Sequence, residues 1–215
     1  YCPECDSCIG SCVSDPALDM HVQVDVDDHV DQSILPDAAL ILQDQSPMRE
    51  DQDPIPEVIP ASPGCGRVPE YSPGSTYVEM DAGPNGDGLR RFLLSIPQEY
   101  DPNIPHKLIV GFAGRDAEGE LMQYYLGLEN SAQSDEIFVY PDPLRRDFEG
   151  WGNYGGWLLG PHAHPAHGEQ DLYFTRTMVE YLQERYCIDP NRIFATGHSW
   201  GGDMSHVVAC FLGDL

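Results

Sequence analysis

From residue 64 onward the apolar residues fall into short continuous runs, separated by longer segments in which they recur every three or four positions. Lys107-Leu108-Ile109-Val110-Gly111-Phe112 is apolar after its first residue, the pattern of a strand buried on both faces. Arg91 to Pro97 and Glu136 to Pro141 read the same way, the second closed by its proline, and Arg192 to Thr196 makes a fourth strand. Between them, Glu118 to Glu129 reads as a helix. Leu172 to Tyr186 is another, with Leu172, Phe174, Met178, Val179 and Leu182 on one face, and Gly202 to Leu212 opens a third. Phe148 to Gly168, rich in Gly, Trp and His, reads as loop. Strands that alternate with helices predict an α/β fold with a mostly parallel sheet flanked by helices.

Residues 1–63 have a different texture. They carry 14 Asp and Glu against one basic residue, Arg49, and their sole aromatic is Tyr1. Such a segment cannot bury enough apolar surface to offset its ordering entropy, so a disordered arm is expected before a folded domain at 64–215. The arm ends in Pro54-Ile55-Pro56-Glu57-Val58-Ile59-Pro60-Ala61-Ser62-Pro63, where proline denies both helix and ladder hydrogen bonds. Asp25, Asp27, Asp28 and Asp31 lack the glycine and closing glutamate of a calcium loop, so a solvated linker is the reading. At the tip, Cys2, Cys5, Cys8 and Cys12 match the spacing of a ferredoxin half-motif, but Val13 replaces its proline and no second motif follows. Disulfides or a secretion-linked cysteine-rich tip are expected instead. Cys65, Cys187 and Cys210 are odd in number, so one is expected to pair elsewhere.

A net charge of −25 with a single lysine, Lys107, argues against nucleic acid or an anionic membrane as partner, since both require clustered cations. No apolar run approaches the roughly 18 residues of a membrane span, and no signal peptide is visible ahead of Tyr1. Lipid anchoring of the arm is left open.

The chemistry concentrates at Gly197-His198-Ser199-Trp200-Gly201, a G-x-S-x-G pattern between a short apolar strand and an apolar helix. A strand-turn-helix elbow at this point forces its serine into a strained conformation, and Gly197, Gly201 and Gly202 supply the small neighbours that it needs. The serine would then project above the carboxyl end of the sheet. The Trp200 amide and the positive end of the following helix would be placed to stabilise an oxyanion there.

The stretch from Tyr186 to Met204, with Ile109 to Phe112, Tyr125 to Glu129, Val139 to Asp142 and Gly150-Trp151, resembles the polyhydroxybutyrate depolymerase and feruloyl esterase group of bacterial secreted esterases, in carbohydrate esterase family one. The resemblance covers residues 64–215 and none of the arm. It implies an α/β-hydrolase fold, action at the cell surface or outside the cell on carboxylic esters of plant cell wall or polyester, and a Ser-His-Asp mechanism without metal or other cofactor. Ser199 would be the nucleophile, with the Trp200 amide and an amide at Gly114 or Arg115 as oxyanion donors.

The pattern departs from that group twice. Ala113-Gly114-Arg115 stands where the group has His-Gly, so a supporting histidine is lost while the backbone donor can remain. The triad of this fold runs Ser, Asp or Glu, then His, and only 16 residues follow Ser199. Asp203 and His206 fall on the helix that starts at the elbow, and Asp214 is too close behind. The remaining triad members and the C-terminal part of the fold are therefore expected beyond residue 215. Pro161-His162-Ala163-His164-Pro165-Ala166-His167 approximates a metal box but has Ala166 where a carboxylate belongs, so a loop at the cleft rim is expected and no metal site. Trp151, Tyr154 and Trp157 in the same loop are candidate substrate-facing or packing aromatics. The alternative to a serine esterase is a noncatalytic cell-surface or carbohydrate-binding protein that kept an incomplete fold.

Overall fold

The computed structural model describes residues 61–131, 135–150 and 152–215. The cysteine motif, the acidic segment and the disorder expected of it lie outside these residues, as does Trp151. Seven strands and four helices follow in order: β1 (Gly74–Asp81), β2 (Leu89–Ile96), β3 (His106–Phe112), α1 (Gly119–Leu126), β4 (Glu136–Pro141), β5 (Leu144–Phe148), β6 (Gly152–Gly156), α2 (Gly160–Ala163), α3 (Gln170–Arg185), β7 (Ile188–Gly197) and α4 (Trp200–Phe211).

Five strands form one sheet in the order β1-β2-β4-β3-β7, and β5 and β6 form a separate antiparallel hairpin. β1 pairs antiparallel with β2, and β2 antiparallel with β4, whereas β3 runs parallel to both β4 and β7. This is the mixed, mostly parallel sheet of the α/β-hydrolase fold, with helices on both faces.

The inner strands read as unbroken apolar runs because each face is covered. Successive residues of a strand point to opposite sides. Phe92 and Leu94 of β2, Leu108 and Val110 of β3, and Ile137 and Val139 of β4 join Phe174, Met178 and Leu182 of α3 and Met204 and Val207 of α4 in one core. Leu93, Phe138 and Tyr140 turn the other way and pack with Met122 of α1. Helix α1 stops at Leu126, short of the expected Glu129, because Gly127 adopts the left-handed conformation (φ 57°) and returns its N–H to Gln123. Its start is fixed by the buried Asp142, whose Oδ1 accepts the Gly119 N–H at 2.6 Å while Oδ2 accepts Arg91 Nε at 2.6 Å. Burial pushes this carboxyl up from its usual range, and those two donors pull it back.

Four elements lie where the sequence suggested none: β1, the two strands of the β5–β6 hairpin and the short α2. β1 carries an alternation in which Val78 and Met80 are buried and Glu79 and Asp81 exposed. The β5–β6 hairpin occupies part of the stretch read as loop. Its second strand, Gly152-Asn153-Tyr154-Gly155-Gly156, holds three glycines and no β-branched residue, and its register comes from backbone pairing with Leu144–Phe148.

Asp171 on α3 is fully buried and serves as an ionic hub. It receives Arg90 Nη2 from β2 at 2.8 Å, Arg146 Nη1 and Nη2 from β5 at 3.0 and 3.1 Å, and the Leu158 N–H at 2.7 Å. Arg90 is equally buried, lies over the Phe174 ring, and has its pKa pushed down by desolvation against the pull of Asp171.

At the start of the described domain, the Ser62 amide donates to the Ile188 carbonyl, and its hydroxyl donates to the Tyr186 carbonyl and accepts the Ile188 N–H. A disulfide joins Cys65 to Cys187 across 122 residues of chain. Closing so long a loop removes much unfolded-state entropy. Replacing both cysteines by alanine is therefore expected to lower stability by about 2–5 kcal/mol, read as a shift of the urea midpoint.

Candidate active site

Strand β7 ends at Gly197 and helix α4 begins at Trp200, so His198 and Ser199 make the whole turn. Ser199 sits at φ 54°, ψ −125°. A serine there is strained by about 1–3 kcal/mol, and such strain persists only where the surroundings enforce it. They do so here from two sides. The His198 amide donates to the Phe112 carbonyl at the end of β3, and the His198 carbonyl accepts the Gly201 N–H at 2.9 Å. The glycines permit the close approach: a Cβ on Gly201 would collide with the Phe112 carbonyl, and one on Gly197 with the Gly201 carbonyl. Gly201→Ala is accordingly expected to cost about 1–3 kcal/mol through overpacking and to slow any reaction of Ser199, both readable from one set of urea melts and labelling rates.

The Ser199 side chain is left exposed at a cleft of about 1440 Å³. Its walls include Gly114, Arg115, Phe148, Tyr154 and Trp200. The Trp200 amide is among the first N–H groups of α4, which have no acceptor within a helix and form its positive end. Gly114 stands beside the serine; a Cβ there would lie 3.2 Å from the His198 carbonyl oxygen and 3.6 Å from Ser199 Cβ. The structure thus places four of the sequence-derived residues, Ser199, Trp200, Gly114 and Arg115, in the lining of one cleft.

The aromatics divide. Tyr154 lines the cleft, its ring 4.9 Å from the guanidinium of Arg115. Trp157 does not face substrate space. It is fully buried, packs edge-on to Phe112 at 5.3 Å, and donates its Nε1–H to the Ala113 carbonyl at 2.7 Å. Its position after a hairpin strand, rather than in an open loop, turns the ring into the core. Phe148, passed over in the sequence, packs on the Trp200 ring at 4.6 Å.

The histidines of the 162–167 segment separate as well. His164 and His167 line the cleft, whereas the His162 ring lies against Phe211. Among the described residues, no group of three or more His, Cys, Asp or Glu is placed to hold a metal ion. His206 is exposed on α4 and away from the cleft lining, and the His198 ring lies on Tyr125. No helix of the described residues is long and apolar enough to cross a membrane.

The chain is similar to known proteins. No protein-family model matches the chain. Feruloyl esterase C of Emericella nidulans is 36% identical over 155 residues, covering 69% of this chain and 48% of that protein. A probable feruloyl esterase C of Aspergillus niger is 34% identical over the same shares. The chain thus spans about half the length of the curated relatives it matches. Among solved structures, a carbohydrate esterase family one ferulic acid esterase from Anaeromyces mucronatus, in complex with ferulic acid, covers 61% of this chain and 50% of its own at 17% identity and a TM-score of 0.41. The two feruloyl esterase C sequences speak for the feruloyl side of the resemblance and add nothing to the polyester side. With a strained serine at the head of α4 and an α/β-hydrolase sheet beneath it, the chain is a homologue of the feruloyl esterases.

Proposed function

We propose that the protein is a secreted serine carboxylic-ester hydrolase of the feruloyl esterase kind, acting on esters of plant cell-wall material, with Ser199 as nucleophile. The observation that carries this reading is the strained Ser199 backbone with the Trp200 amide ahead of it and Gly114 at its side. The chemistry follows from that placement. Ser199 Oγ attacks the ester carbonyl carbon as its proton passes to a base, and the carbonyl oxygen becomes an oxyanion held by the Trp200 amide and an amide at Gly114 or Arg115. Collapse of this intermediate expels the alcohol, which takes up the proton, and leaves an acyl-serine. Water attacks that ester in turn, releases the acid and restores the hydroxyl. No cofactor enters any step.

The base is proposed to come from outside residues 61–215. Triad order requires a histidine after the serine, and His206 lies on the helix that leaves the elbow, pointing to solvent. A fluorophosphonate offered to the full-length protein is expected to form one adduct, mapped by mass spectrometry to the peptide containing Ser199. An adduct on another residue, or one that persists in Ser199→Ala, would overturn the assignment.

A further inference from the structure

The two oxyanion donors come from separate parts of the fold: Trp200 opens α4, and Gly114 and Arg115 follow β3. Their spacing has to be held to a fraction of an ångström for both to meet one oxygen. One element touches both. On the Gly114–Arg115 side, β6 is joined to the loop by a reciprocal pair of hydrogen bonds: the Asp116 N–H donates to the Gly155 carbonyl at 2.9 Å, and the Gly155 N–H donates to Asp116 Oδ1 at 3.0 Å. Arg145 of β5 adds an ion pair to the same Oδ1 at 3.0 Å. The residue after the hairpin, Trp157, fixes the Ala113 carbonyl from below. On the Trp200 side, Phe148 closes β5 against the indole, and Gly156 lies so near that ring that a Cβ would come within 2.8 Å of it.

The hairpin is itself anchored. Arg146 donates to the Gly156 carbonyl at 3.2 Å and to Asp171, which also receives the Leu158 N–H. We propose that the β5–β6 hairpin is a clamp that sets the oxyanion hole by gripping both donor segments, and that Asp116 and Trp157 are its positioning residues. The clamp acts by aiming the amides of Gly114 and Arg115. Its catalytic consequence rests on the Ser199 reading above.

The test uses the full-length protein with three variants. Asp116 is at φ 57°, a conformation that glycine and asparagine tolerate, so backbone strain does not confound their comparison. Asp116→Gly removes the acceptor for the Gly155 N–H; Asp116→Asn keeps one. Trp157→Phe keeps a ring in the core and loses the bond to Ala113. Misaiming a donor costs less than the 10²–10³-fold in kcat seen on removing one outright, so Asp116→Gly and Trp157→Phe are expected to lose roughly 10-fold in kcat on a small feruloyl ester. KM should stay within about twofold, and Asp116→Asn should stay near the parent. A purely structural role would lower the melting temperature and leave kcat of the folded protein unchanged. Hydrogen exchange of the 113–116 amides reads the clamp independently of turnover and is expected to quicken about 10-fold in the two clamp variants, in line with one lost hydrogen bond. Exchange and kcat both within twofold of the parent would overturn the clamp. A parent that neither hydrolyses the ester nor takes the fluorophosphonate would instead reject the Ser199 reading, with exchange still deciding whether the hairpin grips the loop.

Discussion

Ser199→Gly in the full-length protein is expected to melt higher than its parent while losing ester hydrolysis by roughly 10⁶-fold, the scale on which a triad nucleophile acts. The two effects have separate sources, the loss in the missing hydroxyl and the gain in the backbone. At φ 54° and ψ −125° the serine backbone is strained by about 1–3 kcal/mol, and glycine adopts that conformation freely. Against this relief stands the greater entropy that glycine loses on folding, about 0.5–1 kcal/mol. No capping bond from the hydroxyl is given up, because the Ser199 side chain makes none to α4. The balance is a gain near 1 kcal/mol, or about 2–4 °C for a domain of this size. Ser199→Ala separates the contributions: it loses hydrolysis equally, but its Cβ keeps the strain, so its melting temperature should match the parent. Equal melting of the glycine and alanine variants would show that the elbow carries no strain.

The largest expected loss of stability belongs to Asp171→Ala. The change leaves Arg90 fully buried, and Arg146 nearly so, without the carboxylate that both bind, Arg146 keeping only its longer pair with Asp87. Stripping one partner from a buried ion pair typically costs 3–5 kcal/mol, which corresponds to roughly 6–20 °C in melting temperature. Loss of the Leu158 N–H acceptor adds to it, since that amide is buried too. Because the pair is shielded from solvent, the destabilisation should persist in 0.5 M salt, where an exposed pair such as Arg145–Asp116 would be largely screened. Asp171→Asn keeps two polar contacts and should fall between the variant and the parent. A melting temperature unchanged in Asp171→Ala would show that Arg90 and Arg146 find other partners.

Much of the sheet and the elbow was legible in the amino-acid sequence because their causes are local. β4 was bounded correctly at Glu136–Pro141, since burial on both faces makes the run continuous and proline ends it. The elbow was legible because its glycines, serine and flanking apolar segments are contiguous. The β5–β6 hairpin was not, as its glycines carry no side-chain pattern and its order is imposed from distant parts of the chain, by Asp116 on Gly155 and by Asp171 on Arg146. The side to which Trp157 turns was not legible for the same reason: an aromatic among glycines gives no periodicity to separate a packing role from a substrate-facing one. The Asp171 hub also left no trace, because a charged residue on a helix ordinarily signals a wet face.

The covalent link between Cys65 and Cys187 has a consequence for how the molecule can be held. It lies just before the first residue of β7, and Ser199 lies just past the last. β7 lies alongside β3 from His106, opposite Ile188, to Phe112, opposite Gly197, and six steps of about 3.3 Å put these points roughly 20 Å apart. A bead, a fibre or a fused partner attached at residue 61 would therefore pull at the base of the sheet, at the end away from Ser199. Once the three hydrogen bonds of Ser62 yielded, its load would fall on a sulfur–sulfur bond instead of unzipping a longer ladder.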